Sequence, residues 1–176
     1  MSSIALTRSE RTAKVMQAAA VAGGAIVFLL ATAGLLNAWL AKAPMPEAFR
    51  NAAVVAHLTI VLLALPLGIS QVLLPKGTFR HRTVGYIWIT LMVATALVSF
   101  AIHRLNPPGF SPIHLFSGLT LILAPLIVFL ARTGRVESHR MTVLGLMIGG
   151  LAIAGLFTFL PSRALGQLAL RLFGKI

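Results

Sequence analysis

Five apolar stretches, each without a single lysine, arginine, aspartate or glutamate, constrain this chain more than any other feature. They run over 15–40, 52–74, 83–103, 113–131 and 141–160, and are 19 to 26 residues long. A membrane-crossing helix needs about 20 mostly apolar residues, so each stretch is long enough to span. Together they take up 109 of the 176 residues, which leaves no room for a separate soluble domain. The connections are short, so successive helices are expected to be antiparallel neighbours. The expected fold is all-α and integral to a membrane, with the whole chain (1–176) a single membrane domain. The first span covers 15–40. The next four form a four-helix bundle of two hairpins over 52–160, and a short amphipathic helix follows at 161–176.

Composition agrees with this reading. Hydrophobic residues make up 58% of the chain and charged residues 10%, against about 25% charged in soluble domains. Disorder would need low hydrophobicity. The charges are lopsided, with 15 Lys and Arg against three acids, Glu10, Glu47 and Glu137. A net charge of +12 invites a nucleic-acid reading. However, the basic residues sit in short clusters between apolar runs, and no nucleic-acid-binding motif is present. The expected partner is the lipid bilayer.

Nine basic residues (Arg8, Arg11, Lys14, Lys76, Arg80, Arg82, Arg132, Arg135 and Arg140) fall on one side of the spans, and six on the other. The positive-inside rule then puts the N-terminus in the cytoplasm and the C-terminus outside. The 26-residue first stretch exceeds the roughly 7–15 apolar residues of a cleaved signal peptide, so it is expected to be a retained span. In the tail, Arg163, Gln167, Arg171 and Lys175 recur every four residues, with Leu165, Leu168 and Leu172 on another face. That pattern suits a helix lying in the headgroup plane. Trp39, Tyr86 and Trp88 fall near span ends, as aromatic-belt residues do. Pro66 and Pro125 lie within spans, where proline bends helices. Asn51 is placed to cap the second span, and Pro112 suits the first turn of the fourth.

Several chemistries are excluded. The chain has no cysteine, which removes disulfides, iron–sulfur clusters, thiolate-held haem and cysteine zinc sites. Without aspartate no Ser-His-Asp triad can form. No acid lies within a span, which argues against a carboxylate proton relay. The remaining candidates are five histidines: His57, His81, His103, His114 and His139.

Their spacing reveals a duplication. His57-Leu58 recurs as His114-Leu115 after 57 residues, and His81-Arg82 recurs as His139-Arg140 after 58. The hairpin of spans two and three therefore reads as a copy of the hairpin of spans four and five. Parallel repeats of this kind are related by an axis along the membrane normal. Such an axis sets His57 and His114 at one depth near the outer side, and His81 and His139 at another near the inner side. Paired imidazoles across a bundle core are what a bis-histidine haem needs. Arg82 and Arg140 on one side, and Arg50 and Arg104 on the other, are candidates to meet its propionates. His81 and His103 lie 22 residues apart, or about 33 Å at helical rise, so the two layers are most of a membrane apart. His103 has no repeat partner and reads as an interfacial residue.

The sequence of an intramembrane His-Leu, then His-Arg-x-x-Gly before the next span, then a second His-Arg resembles a bacterial family of membrane proteins of unknown function, over roughly 52–163. The pairing of second with fourth helix and third with fifth is similar to cytochrome b561 and its two-haem relatives. That resemblance implies haem b held by His57 with His114 and by His81 with His139. It also implies a bacterial inner (plasma) membrane location. The chain departs in having five spans where those cytochromes often have six, and in placing His81 and His139 at the rim of their spans.

The leading expectation is a small b-type cytochrome that transfers electrons through one or two bis-histidine haems, with quinol or another small reductant at one face. Its competitor is a haem-free accessory subunit of a larger respiratory or photosynthetic complex, docked through its glycine faces and basic tail. A third is a quinone- or lipid-handling protein using the His-Arg loops. Because the chain lacks cysteine, single-cysteine variants report topology without background. An impermeant maleimide is expected to label Ala43→Cys on intact cells, and Thr133→Cys only after permeabilisation; the opposite pattern reverses the orientation.

Overall fold

The computed structural model describes residues 8–102 and 113–174. His103, Arg104, Pro112 and Lys175 lie outside the described residues. The helices are α1 (Arg8–Leu40), α2 (Ala52–Leu73), α3 (Phe79–Ala101), α4 (Ile113–Arg132), α5 (Val136–Leu146), α6 (Ala154–Phe157) and α7 (Ala164–Leu172). A 3-10 turn at Glu47–Arg50 precedes α2, and a π-helical stretch, Met147–Ile153, joins α5 to α6. The fifth span is therefore one continuous rod, Val136–Phe157. Five helices are long and apolar enough to cross a membrane, and the protein is a multi-pass, all-α membrane protein in contact with the bilayer.

Local chemistry sets the helix ends. The Asn51 side chain accepts from the Ala53 amide at 2.8 Å, as its position before α2 predicts. Thr78 caps α3 by accepting from the His81 amide at 3.1 Å. Gly77 (φ 77°) and Gly134 (φ 71°) turn the two short connections in the left-handed region that glycine tolerates. Because of the Thr78 cap, α3 starts at Phe79, four residues before its apolar run. α5 starts at Val136, five before its own. The His-Arg pairs expected in basic loops or at the rim of the spans therefore sit in the first turns of α3 and α5.

The spans pack in chain order, α2 on α3, α3 on α4 and α4 on α5, while α1 lies against α2 and the π-helical stretch of the fifth span. All five contribute to one buried cluster: Ala20 and Val27, Leu65, Trp88 and Met92, Ile127, and Leu144, Met147 and Leu151. Small residues allow the close approaches. A Cβ on Gly23 would stand 2.7 Å from Ala152 Cβ, and one on Gly155 would stand 2.8 Å from Val27 Cγ1. α2 and α4 run on through Pro66 and Pro125.

One expectation changes, and another gains a contact. Trp39 and Tyr86 are exposed as a belt requires, but Trp88 is only 1% exposed. Its indole lies against Gly68, where a Cβ would stand 2.8 Å from Nε1; the missing side chain of Gly68 makes room for the ring. The tail helix α7 does form, but it packs on α1. Leu168 is buried over the notch left by Gly34, and Arg171 donates to the Pro44 carbonyl at 2.6 Å.

These contacts predict opposite outcomes for two glycines. Gly155→Val forces overpacking against Val27, which costs about 1–3 kcal/mol and lowers the melting temperature in detergent. At Gly118 an added Cβ meets nothing within 4 Å. Gly118→Ala is therefore neutral or stabilising by up to about 1 kcal/mol. Equal shifts for the two variants would refute the described α1 packing.

Candidate functional site

Histidines occupy both ends of the bundle, and neighbouring helices position their rings. His57 lies in the second turn of α2, and its Nδ1–H donates to the Thr95 carbonyl of α3 at 3.1 Å. His139 lies in the first turn of α5, and its Nδ1–H donates to the Ile127 carbonyl of α4 at 2.9 Å. A carbonyl can only accept, so Nδ1 carries the proton in both rings. In the neutral ring this leaves the Nε2 lone pair available. Metal-ligating imidazoles are commonly oriented in this way, by a carbonyl on the other nitrogen.

His57 and His114 both contact α3. His57 meets it at Thr95, and the His114 ring stacks at a tilt on Phe100, with centroids 5.8 Å apart. At the same level Ser99 of α3 hydrogen-bonds Ser117 of α4. Thr120 is buried and donates to the Phe116 carbonyl at 2.8 Å. The Thr95 hydroxyl is buried with no hydrogen-bond partner.

His81 and His139 lie at the opposite end of the bundle, at the starts of α3 and α5. His81 lies within electrostatic reach of His139 and of Lys76, and Lys76 lies within reach of Arg140. Gln71 ties this end of α2 to α3: its Nε2 donates to the His81 carbonyl at 3.0 Å. Lys76 in turn donates to the Gln71 and Val72 carbonyls, both at 2.7 Å, and so closes the C-terminus of α2. Burial, with the nearby Arg140 charge, holds the Lys76 ammonium below its usual pKa. The Nδ1 of His81 is buried and, unlike that of His57 or His139, has no partner. Arg140 approaches Glu137 at 4.0 Å, while Arg82 and Arg50 are exposed.

Among the described residues no group of three metal-ligating side chains assembles. His139, with its Nδ1 committed to a carbonyl, offers Nε2 as a donor to a metal-bearing group, and His81 lies within its electrostatic reach. Sequence reasoning missed Gln71, Lys76 and Thr95. Gln71 was detectable, because it is the only amide in the apolar run 52–74.

No protein-family model, curated protein or solved structure matches the chain. The site is therefore interpreted from its own geometry.

Nitrogen-15 NMR of labelled histidines is expected to show His57 and His139 as the Nδ1–H form, with an unprotonated Nε2 at high pH. The opposite tautomer at either residue would refute that ring's carbonyl bond.

Proposed function

We propose that this chain is a small b-type membrane cytochrome that carries electrons through bis-histidine haem. One observation carries the reading: the His139 ring is oriented by the Ile127 carbonyl through its Nδ1, and His81, which matches it in the repeated His-Arg motif, lies within its electrostatic reach. His81 and His139 would hold one haem, and His57 and His114 a second. When bound, haem supplies one-electron chemistry; the protein's part is to bind, orient and insulate it. The Ile127 and Thr95 carbonyls would set the ring orientation of His139 and His57. Arg140 and Arg82 would meet anionic propionates through charge-assisted hydrogen bonds. The apolar layer of Leu65, Trp88, Met92 and Met147 would keep water from the middle of the bundle.

The same proposal includes the kinship with b561-type cytochromes, a bacterial inner membrane location and a cytoplasmic N-terminus. Quinol is the candidate reductant. The accessory-subunit reading relied on glycine faces and the tail. In the structure Gly23, Gly155 and Leu168 are engaged within the chain, which leaves less of those surfaces for a partner.

The test is a reduced-minus-oxidised spectrum of the purified protein, expected to show a sharp α-band and a shifted Soret band. His139→Ala and His81→Ala are each expected to remove the same chromophore, and His57→Ala a different one. A protein expressed with ample haem that shows no such bands would overturn the reading.

A further inference from the structure

The first span ends in a turn whose chemistry is unusual. The Ala43 amide donates back to the Ala38 carbonyl at 3.0 Å and the Lys42 amide to the Trp39 carbonyl at 3.2 Å, the two bonds of a Schellman turn. That turn holds its penultimate residue in the left-handed region, where glycine is usual. Here the residue is Lys42, with φ 49°, and among the described residues it is the only one other than glycine with a positive φ. A lysine there carries backbone strain that glycine would avoid, and such strain collects at ligand sites. The helix end does not need the ammonium, because main-chain amides already meet the Asn37, Ala38 and Trp39 carbonyls.

The same turn encloses a pocket of about 640 Å³, lined by apolar residues that include Leu35, Trp39, Leu40 and Met45, and by one charged side chain, Lys42. A volume of that size takes a small molecule or a headgroup. A second cation borders it: Arg171 of α7 donates to the Pro44 carbonyl at 2.6 Å, between the lining residues Ala43 and Met45, and its fork has further donors. Among the described residues neither cation forms an ion pair, with Glu47 or any other acid. Leu40 also ends an exposed stripe of Ile26, Leu29, Leu36 and Leu40 at helical spacing on α1. Ile26 and Leu40 are 14 residues apart, about 21 Å at helical rise, enough to cross one leaflet.

We infer that this pocket binds one anionic phospholipid, its phosphate held by Lys42 and Arg171 and an acyl chain laid along the α1 stripe. The layout matches such a molecule end to end: positive charge at the rim, the exposed Trp39 at the boundary where amphipathic rings sit, and apolar surface below it. A headgroup with its own cation is a poorer fit, because that cation would meet Lys42 and Arg171. A basic residue near an anionic lipid surface is worth about a fivefold gain in binding. The site shares no residue with the histidine pairs, so it stands or falls apart from the electron-carrier reading.

Native mass spectrometry of the full-length protein in mild detergent tests this, comparing retention of phosphatidylglycerol with phosphatidylcholine of the same chain length. Phosphatidylglycerol is expected to be retained preferentially, and Lys42→Gln to reduce that retention about fivefold with phosphatidylcholine unchanged. Met45→Trp fills the pocket while keeping both cations, and is expected to reduce it as well. Lys42→Gly separates binding from folding: it relieves the left-handed turn and raises the melting temperature in lipid-free detergent, yet loses the same retention. Equal retention of the two lipids overturns the site. So does an equal loss in Arg50→Gln, which is exposed at the same end but outside the pocket, because it would show only diffuse surface charge. A lipid-free dimer unaffected by Lys42→Gln would assign the stripe to a second copy of the chain and overturn the proposal too.

Discussion

A polar side chain carried into an apolar helix must find its partner within the protein, because lipid offers none. Here the partners sit on the next helix. Gln17 of α1 donates to Val72 of α2, Gln71 of α2 to His81 of α3, and His57 of α2 to Thr95 of α3. Ser99 of α3 pairs with Ser117 of α4, and His139 of α5 donates to Ile127 of α4. Each consecutive pair of spans is thus joined by at least one polar bond. Such bonds contribute only about 0.6 kcal/mol on average in membrane bundles, so their main effect is on register. A helix rotated or shifted by one residue would bury an unpaired imidazole or amide at a higher cost.

Close packing does the remaining work of association. Lipid tails are as apolar as leucine, so helices gain little from hiding apolar surface and rely on tight contact. Gly23 against Ala152 and Gly155 against Val27 bring α1 onto the fifth span, and Gly34 admits Leu168 of the tail helix. Gly23, Gly34 and Gly155 are thereby occupied within the chain, while Gly118 and Gly145 meet nothing within 4 Å. Gly68 does the same for the Trp88 indole at the centre of the bundle.

The two His-Leu and two His-Arg motifs are held differently in the structure. His139 has a carbonyl at Nδ1 while the Nδ1 of His81 has no partner, and His57 donates to Thr95 while the His114 ring stacks on Phe100. The copies have diverged in how each ring is held. The two ends of the bundle therefore offer different chemistry: a cationic rim around His81 and His139, and a layer of hydroxyls around His57 and His114.

Much was legible before any coordinates. The absence of charge over five long runs dictated five spans, because a charged side chain inside lipid is too costly to place there by default. Asn51 before an apolar run announced its cap, and the two His motifs at offsets of 57 and 58 exposed the repeat. The starts of α3 and α5 were not legible from hydropathy, because Thr78 and the turn at Gly134 let helix run past the apolar boundary into basic sequence. Trp88 looked like a belt residue until packing buried it against Gly68. The tail's periodicity gave a helix but not its seat, which depends on Gly34 more than a hundred residues earlier. Sequence alone settled what each segment is, because length, charge and periodicity act within a segment. Which groups meet, Ser99 with Ser117 or His139 with the Ile127 carbonyl, was settled only by tertiary structure, because those contacts depend on how neighbouring helices are rotated and set against one another.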